Sequence, residues 1–328
     1  MRNPFAKIAE TYGTENVQRV ATRDGFGTGS VEAGRADARV VVLSADLKES
    51  TRAEVFEKEF PSRFIEMGVA EQNMATVASG MAAAGKVPFI TSYAAFSPGR
   101  NYEQIRTTIA LNKMPVIVCG MHAGVSVGPD GATHQMLEDI GMMRMLPNMV
   151  VIAPGDAEEA RKAVLAVATV GSPAYIRFGR SATPVFTTRE TPFVIGKALV
   201  LFESATPRVA ILSTGSLSAT ALTAAENLAK EGVETIVLHV PSIKPLDTEA
   251  ILSVAKRAGR VMTLEEHQIA GGFGSAVAEY ISEQCPMPVR RLGIHDVFGQ
   301  SGTPDELLAH YGLDEASIVQ AVKAFVID

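Results

Sequence analysis

Short apolar runs alternate along the chain with longer stretches whose apolar positions recur at helical spacing. Residues 39–43, 87–90, 115–119, 149–152 and 174–178 read as strands with little polar interruption, and 68–84, 98–111 and 156–170 read as helices between them. Near-continuous apolar strands separated by helices predict a parallel sheet covered on both faces. Asp156 is a good N-cap, with Glu158 and Glu159 in the first turn, where the helix dipole favours anions. From 183 to 192 the pattern stops: Pro184, Thr187, Thr188, Thr191 and Pro192 read as a linker. A second alternating block follows, with strands at 209–212, 235–239 and 260–264 and helices at 217–230, 248–258, 274–283 and 315–325. The expected architecture is therefore α/β, with two doubly wound domains over residues 1–185 and 186–328. No internal repeat or low-complexity segment interrupts it.

Composition narrows the class. Hydrophobic residues make up 47% of the 328 positions and charged residues 20%, enough apolar material for two cores and incompatible with a disordered chain. The net charge of −6 argues against a general nucleic-acid surface and leaves room for a local basic pocket around a phosphorylated ligand. Cys119 and Cys285 are the only cysteines, which excludes a disulfide framework and a cysteine-rich metal site and fits a reducing compartment. The start of the sequence lacks the apolar run of a signal peptide, and no stretch reaches the ~18–20 apolar residues of a membrane span. A cytoplasmic protein with no membrane or nucleic-acid partner is expected.

Several familiar patterns fail on context. Residues 80–87 imitate a phosphate-binding loop, but the final Ser or Thr is missing and the segment leads from helix to strand, the reverse of the required order. Gly124, Ser126 and Gly128 have the spacing of a hydrolase nucleophile elbow, yet Pro129, Asp130 and Gly131 continue a loop where that elbow needs a helix. The glycine groups at 25–29 and 271–274 lack dinucleotide spacing and a preceding strand, and read as turns before helices.

Other residues carry chemistry better. Glu71 opens a helix that is small or apolar nearly all round, so burial would favour a proton or a strong hydrogen bond on its carboxyl; answering the helix dipole is its simpler role. Tyr93 and Phe96, three apart and separated by alanines, can wall a flat ligand. The loop 122–135 leaves a strand at the carboxyl edge, where open α/β sheets bind ligands, and holds His122, Asp130 and His134 among residues too small to shield them.

Taken with their flanks, Glu71, the run 93–100 and the loop 122–134 resemble the pyrimidine-binding domain of transketolase. Thr22, Arg23 and Asp24, the segment 46–50 with Asp46 and Ser50, and Arg180 fall at matching positions, and the block after the linker, with its glycines at 271–274, is similar to the transketolase C-terminal domain. The resemblance implies thiamine diphosphate as cofactor, with the Glu71 carboxyl on the aminopyrimidine nitrogen, Phe96 and Tyr93 along that ring, and Asp46 nearby or structural. It implies that His134 and His122 serve the donor carbonyl and sugar hydroxyls, histidine being the side chain that titrates near neutrality. Asp130 would read the hydroxyl next to the carbonyl, and Arg23, Ser50, His122 and Arg180 would grip the sugar phosphate, guanidinium forks suiting phosphate oxygens. Arg100 stands where deoxyxylulose-phosphate synthases carry an arginine and is read with the substrate group.

Full-length members of that family hold magnesium, and through it the diphosphate, on a Gly-Asp-Gly segment followed by an Asn. Here the sequence reads Gly155, Asp156, Ala157, and no Asn falls between Asn148 and Asn227. No metal ligand is therefore expected on this chain. The resemblance is to the C-terminal subunit of a split transketolase, paired with a separate N-terminal subunit that holds the magnesium, in a heterotetramer containing two copies of this chain. Subunits of a deoxyxylulose-phosphate synthase or of a 2-oxo-acid dehydrogenase are the nearest alternatives. A non-catalytic module of the same fold and a hydrolase acting through Ser126 lie further off.

Overall fold

The buried apolar runs become the middle strands of two sheets. The computed structural model describes residues 1–327. Its first half contributes β1 (Arg19–Val20), β2 (Val40–Ser44), β3 (Phe64–Glu66), β4 (Val87–Tyr93), β5 (Ile117–Met121), β6 (Val150–Ile152), β7 (Ala174–Arg177) and β8 (Thr183–Pro184). The second half adds β9 (Leu199–Glu203), β10 (Val209–Ser213), β11 (Thr235–His239), β12 (Ser242–Lys244), β13 (Val261–Gln268) and β14 (Val289–Ile294). One sheet runs β12-β6-β7-β5-β4-β2-β3 and is parallel except for β12 on β6. The other runs β14-β13-β10-β11-β9 and is parallel except for its edge strand β9. Every residue of β2, β5, β10 and β11 is buried, as expected of strands with helices on both faces.

Twelve α-helices pack around these sheets among the described residues: α1 (Thr22–Ala36), α2 (Lys48–Thr51), α3 (Ala53–Glu59), α4 (Glu71–Ala83), α5 (Tyr102–Gln104), α6 (Asp139–Met145), α7 (Ala157–Ala168), α8 (Leu217–Lys230), α9 (Thr248–Ala258), α10 (Phe273–Gln284), α11 (Pro304–His310) and α12 (Glu315–Ile327). None is long and apolar enough to cross a membrane. Asp156 caps α7 as the sequence suggests, its Oδ1 accepting the Glu159 N–H at 2.9 Å.

Three expectations change. The glycines at 25–29 are not a turn but lie inside α1, where a Cβ on Gly25 would overlap the Ala157 carbonyl and one on Gly29 would lie 2.9 Å from the Arg161 carbonyl. Gly25 and Gly29 are there because α1 and α7 touch backbone to backbone, and Gly27 because Arg52 packs close on the other side. The helix expected from 98 begins only at Tyr102, because residues 94–100 fold back on the strand end, with Ser97 N–H bonded to the Tyr93 carbonyl at 2.8 Å. The stretch 183–192 is not a loose linker: β8 pairs with β1, Phe186 is fully buried, and the N–H groups of Phe186 and Thr187 both donate to Asp156 Oδ2.

The halves share their interior. One apolar cluster runs from Leu43 and Ile90 through Ile140 and Met143 of α6 to Leu212 and Ile236 of the second sheet. A polar chain crosses the same boundary: Ser218 Oγ lies 2.6 Å from His239 Nδ1, and His239 Nε2 lies 2.7 Å from Glu159 Oε2. Its order imitates a hydrolytic relay, but Ser218 and His239 are wholly inaccessible, so it serves the interior.

Candidate active site

Parallel strands end on one edge, and the residues that follow them collect there. Beyond β2 come Asp46 and Ser50, beyond β3 Glu71 at the first turn of α4, at the end of β4 Tyr93 and then Phe96, beyond β5 His122 and its loop, and beyond β7 Arg180. Arg23 enters from the first turn of α1, which is tied to the end of β7 by the Gly179 N–H on Thr22 Oγ1 at 2.7 Å.

Two groups of contacts form. In the first, Arg23 Nη1 donates to the Ser50 carbonyl at 2.9 Å and lies 3.1 Å from His122 Nε2, while Ser50 Oγ and Tyr93 OH are 2.8 Å apart. The Tyr93 ring centroid is 4.2 Å from that of His122 and 5.8 Å from that of His134. Arg180 pairs with Asp130 at 2.8 Å. In the second group, Glu71 is 2% exposed and its Oε2 accepts from Arg100 Nη1 at 2.7 Å. The same guanidinium carbon stands 4.6 Å above the Phe96 ring. Phe96 joins the groups, stacking nearly parallel on Tyr93 at 6.0 Å and meeting His134 edge-on at 5.5 Å.

The electrostatics around His122 fix its state. Burial, followed by the charges of Arg23 and Arg180, pushes its pKa down to about 3, so the ring is neutral at physiological pH. A guanidinium only donates, so Nε2 must accept from Arg23 and the single ring proton sits on Nδ1. Among the described residues that buried atom has no hydrogen-bond partner, and neither has the buried Arg23 Nε. Two buried donors left without acceptors suit an oxygen-rich ligand.

The sequence-selected residues Arg23, Ser50, Glu71, Tyr93, Phe96, Arg100, His122, Asp130, His134 and Arg180 thus meet along one edge. Arg100 joins Glu71 and Phe96 rather than the other arginines. Asp46 sits at the same edge but is exposed and is fixed differently, its N–H donating to Glu66 Oε1 at 2.7 Å in a left-handed backbone conformation. Glu66, unremarked in the sequence, also accepts from Gly68 N at 2.9 Å and so ties the Asp46 loop to the start of α4. Its only sequence signal is an acid just before the turn at Gly68.

Ser126 lies in a short 3-10 turn, 125–127, that no helix follows, and its N–H donates to Glu266 Oε1 at 2.5 Å. Asp156 has its carboxylate filled by Phe186, Thr187 and Glu159 N–H groups. Neither has the surroundings of the motif it imitates.

Comparison with known proteins gives this arrangement a class. The transketolase pyrimidine-binding domain matches residues 18–185 and the transketolase C-terminal domain matches 196–318. The chain belongs to the transketolase family, whose members depend on thiamine diphosphate. Within that family the relatives include split sections and subunits of about this length, beside longer transketolases of which the chain spans about half. A Methanocaldococcus jannaschii protein provisionally named transketolase C-terminal section is 43% identical over 92% of this chain and 94% of its own length. One of the apulose-4-phosphate transketolase subunits of Phocaeicola vulgatus is 37% identical over 94% of this chain and 98% of its own. A 6-deoxy-6-sulfo-D-fructose transketolase subunit of a Clostridium species is 39% identical over 89% of this chain and 90% of its own length. A solved structure described as a split-gene transketolase, an inactive beta4 tetramer, superposes with a TM-score of 0.87 at 42% identity over 94% of this chain and 99% of that one.

Proposed function

We propose that this chain is the subunit of a two-part transketolase that supplies the pyrimidine side of the cofactor site. With a separate N-terminal subunit it would transfer a two-carbon ketol unit from a ketose phosphate to an aldose phosphate. The observation that carries the reading is the buried Glu71 carboxyl beside the Phe96 ring, with His122, His134 and Tyr93 gathered next to them.

The donor set fits an aminopyrimidine: a buried carboxyl, an aromatic face, and a guanidinium as the group to be displaced. When bound, thiamine diphosphate supplies the nucleophilic carbon and the electron sink that C–C cleavage needs. Glu71 would hold a proton at the pyrimidine ring nitrogen, and Phe96 would lie along the ring. Neutral His122 offers its Nδ1–H to a sugar oxygen, and His134, bonded through Nδ1 to Thr133 at 2.9 Å, is placed to move a proton at a sugar hydroxyl. Asp130 would accept from the hydroxyl beside the carbonyl. Arg23 and Arg180, with Ser50, present positive charge and donors to the sugar phosphate. Asp46 would stand near the cofactor edge.

The diphosphate and its magnesium would be held through the partner subunit, the working assembly being a heterotetramer with two copies of each chain in the cytoplasm. The Clostridium and Phocaeicola relatives are named for different sugars, so substrate choice varies among similar subunits. Pentose phosphates are the first substrates to try, and modified ketoses the second.

The test is co-expression with the N-terminal subunit and assay against a panel of ketose and aldose phosphates with thiamine diphosphate and magnesium. Ketol transfer is expected from the complex and not from the rigorously purified chain alone. Pyruvate decarboxylation without ketol transfer would assign the chain instead to the deoxyxylulose-phosphate synthase or 2-oxo-acid dehydrogenase type.

A further inference from the structure

Four residues on from His122 and four back from Asp130, the loop 122–135 is gripped by the C-terminal half of the molecule. We propose that Glu266 is a positioning residue for the proposed substrate loop: it sets the backbone from which His122, Asp130 and His134 project, and so gives the C-terminal domain a part in sugar recognition. This rests on the transketolase reading for the meaning of the loop, but not for the grip itself.

Glu266 lies at the site-facing end of β13 and is 6% exposed. Its Oε1 accepts the buried Ser126 N–H at 2.5 Å. The carboxylate lies against Gly124, at φ +92°, where any Cβ would overlap Oε1. Gly124 therefore serves the approach of this acid rather than a nucleophile elbow. Glu266 is held in turn: Arg177 Nη2 donates to its carbonyl at 2.8 Å, and Arg177 Nε donates to buried Asp139 at 2.9 Å. Burial pushes the Glu266 carboxyl upward in pKa, and the Arg177 charge and the Ser126 N–H act against that push.

A second tie works in parallel. Gln135, 4% exposed, donates through Nε2 to the Val125 carbonyl at 3.0 Å, to Gly128 at 3.2 Å and, across to the C-terminal half, to Gln300 at 2.9 Å. The outer carbonyls of the same turn face the substrate arginine: Ser126 O accepts from Ser181 Oγ at 2.7 Å and Val127 O from Arg180 Nη1 at 3.4 Å. The turn 125–128 is therefore fixed on one side by Glu266 and Gln300 and on the other by the segment carrying Arg180. A shift at Glu266 would reach His122, Asp130 and Arg180 together, touching Phe96 only through its edge contact with His134 and leaving Glu71 alone.

The experiment compares Glu266→Leu with Glu266→Gln, which keeps an acceptor for Ser126. Hydrogen exchange on the whole chain should show amides 124–135 exchanging about tenfold or more faster in the Leu variant and near the wild-type rate in the Gln variant, as expected from losing one buried bond. In the reconstituted complex the Leu variant should raise KM for the sugar phosphate about tenfold, with thiamine diphosphate affinity unchanged, and the Gln variant should restore most of it. Unchanged loop exchange in a folded Leu variant would overturn the proposal, as would loosening spread evenly over the C-terminal half, or cofactor and sugar constants moving together. If the Leu variant does not fold, Glu266→Asp, whose shorter side chain draws the carboxylate back from the Ser126 N–H, gives the same readouts. Exchange is measured on the chain itself. Failure of the wild-type complex to transfer ketol units therefore counts against the functional reading, and the exchange result still decides the grip.

Discussion

The Arg100 guanidinium occupies both features that the proposed function gives to the cofactor's ring: it donates to Glu71 at 2.7 Å and lies 4.6 Å over Phe96. Glu71 is almost fully buried, whereas the Arg100 side chain is 45% exposed. The cation can leave toward solvent without dragging the acid. A ligand that takes the same Glu71 oxygen and the same face of Phe96 has to displace it.

Arg100→Ala should therefore tighten thiamine diphosphate binding to the reconstituted complex by up to about fivefold, since a pair with one exposed partner contributes about 0–1 kcal/mol. The apo chain should melt lower, because the buried Glu71 carboxylate loses its cation. Calorimetric titration and a thermal melt check the two effects. Weaker cofactor binding in a folded variant would mean that Arg100 grips the cofactor instead of yielding to it.

Glu71→Ala should keep the fold and lower ketol transfer by about a hundredfold or more, the scale of losing a positioned proton-transfer group. Turnover of the purified variant complex, set beside its circular dichroism, is the measurement. Full activity would remove Glu71 from the chemistry.

His122 is held neutral by burial and by Arg23 and Arg180, with a pKa of about 3 against an ordinary 6.5. Below pH 6.5 the unfolded chain takes up a proton that the folded chain refuses, so this site favours folding fully above that pH and loses its contribution as pH falls toward 3. His122→Asn should accordingly show a shallower fall of Tm between these values than the wild type. Buried Glu265, pushed up to about 7 from 4.5, acts in the opposite sense and lowers stability as pH rises through that range. The comparison is therefore made variant against wild type, Glu265 being common to both. Parallel Tm curves would contradict the neutral, buried His122.

Gly25→Ala sets two effects against each other. In a free helix alanine gains about 1 kcal/mol over glycine. Here the added methyl overlaps the Ala157 carbonyl, a backbone atom that moves only with the whole of α7, and such overpacking costs about 1–3 kcal/mol. A net loss of stability is expected in chemical denaturation. Gly80, with open space around its missing Cβ, is the control at which the same substitution should stabilise.

Much of this architecture could be read along the chain because its signals are local. Helices at 217–230 and 248–258 and the strand at 235–239 fall where their periodicity puts them, and Asp156 caps α7 as its neighbours suggest. That these side chains would gather at one sheet edge was legible too, since strand ends and the loops after them carry polar groups among small ones. Helix α1 was not, because its glycines look like a turn until α7 is laid against them. The late start of α5 and the tying down of the 183–192 stretch escaped for the same reason: both are decided by partners remote in sequence.

By itself, the order of residues determined the alternation of strands and helices, the edge at which chemistry could collect, and which side chains were available there. Tertiary structure alone decided who meets whom: Arg100 on Glu71, a neutral His122 beneath Arg23, Glu266 under the Ser126 turn, and Glu159 joined to His239 across the two halves. Periodicity records which face of an element is buried, but an ion pair or a shared proton depends on distances of about 3 Å between groups far apart in the chain. Only packing sets those distances.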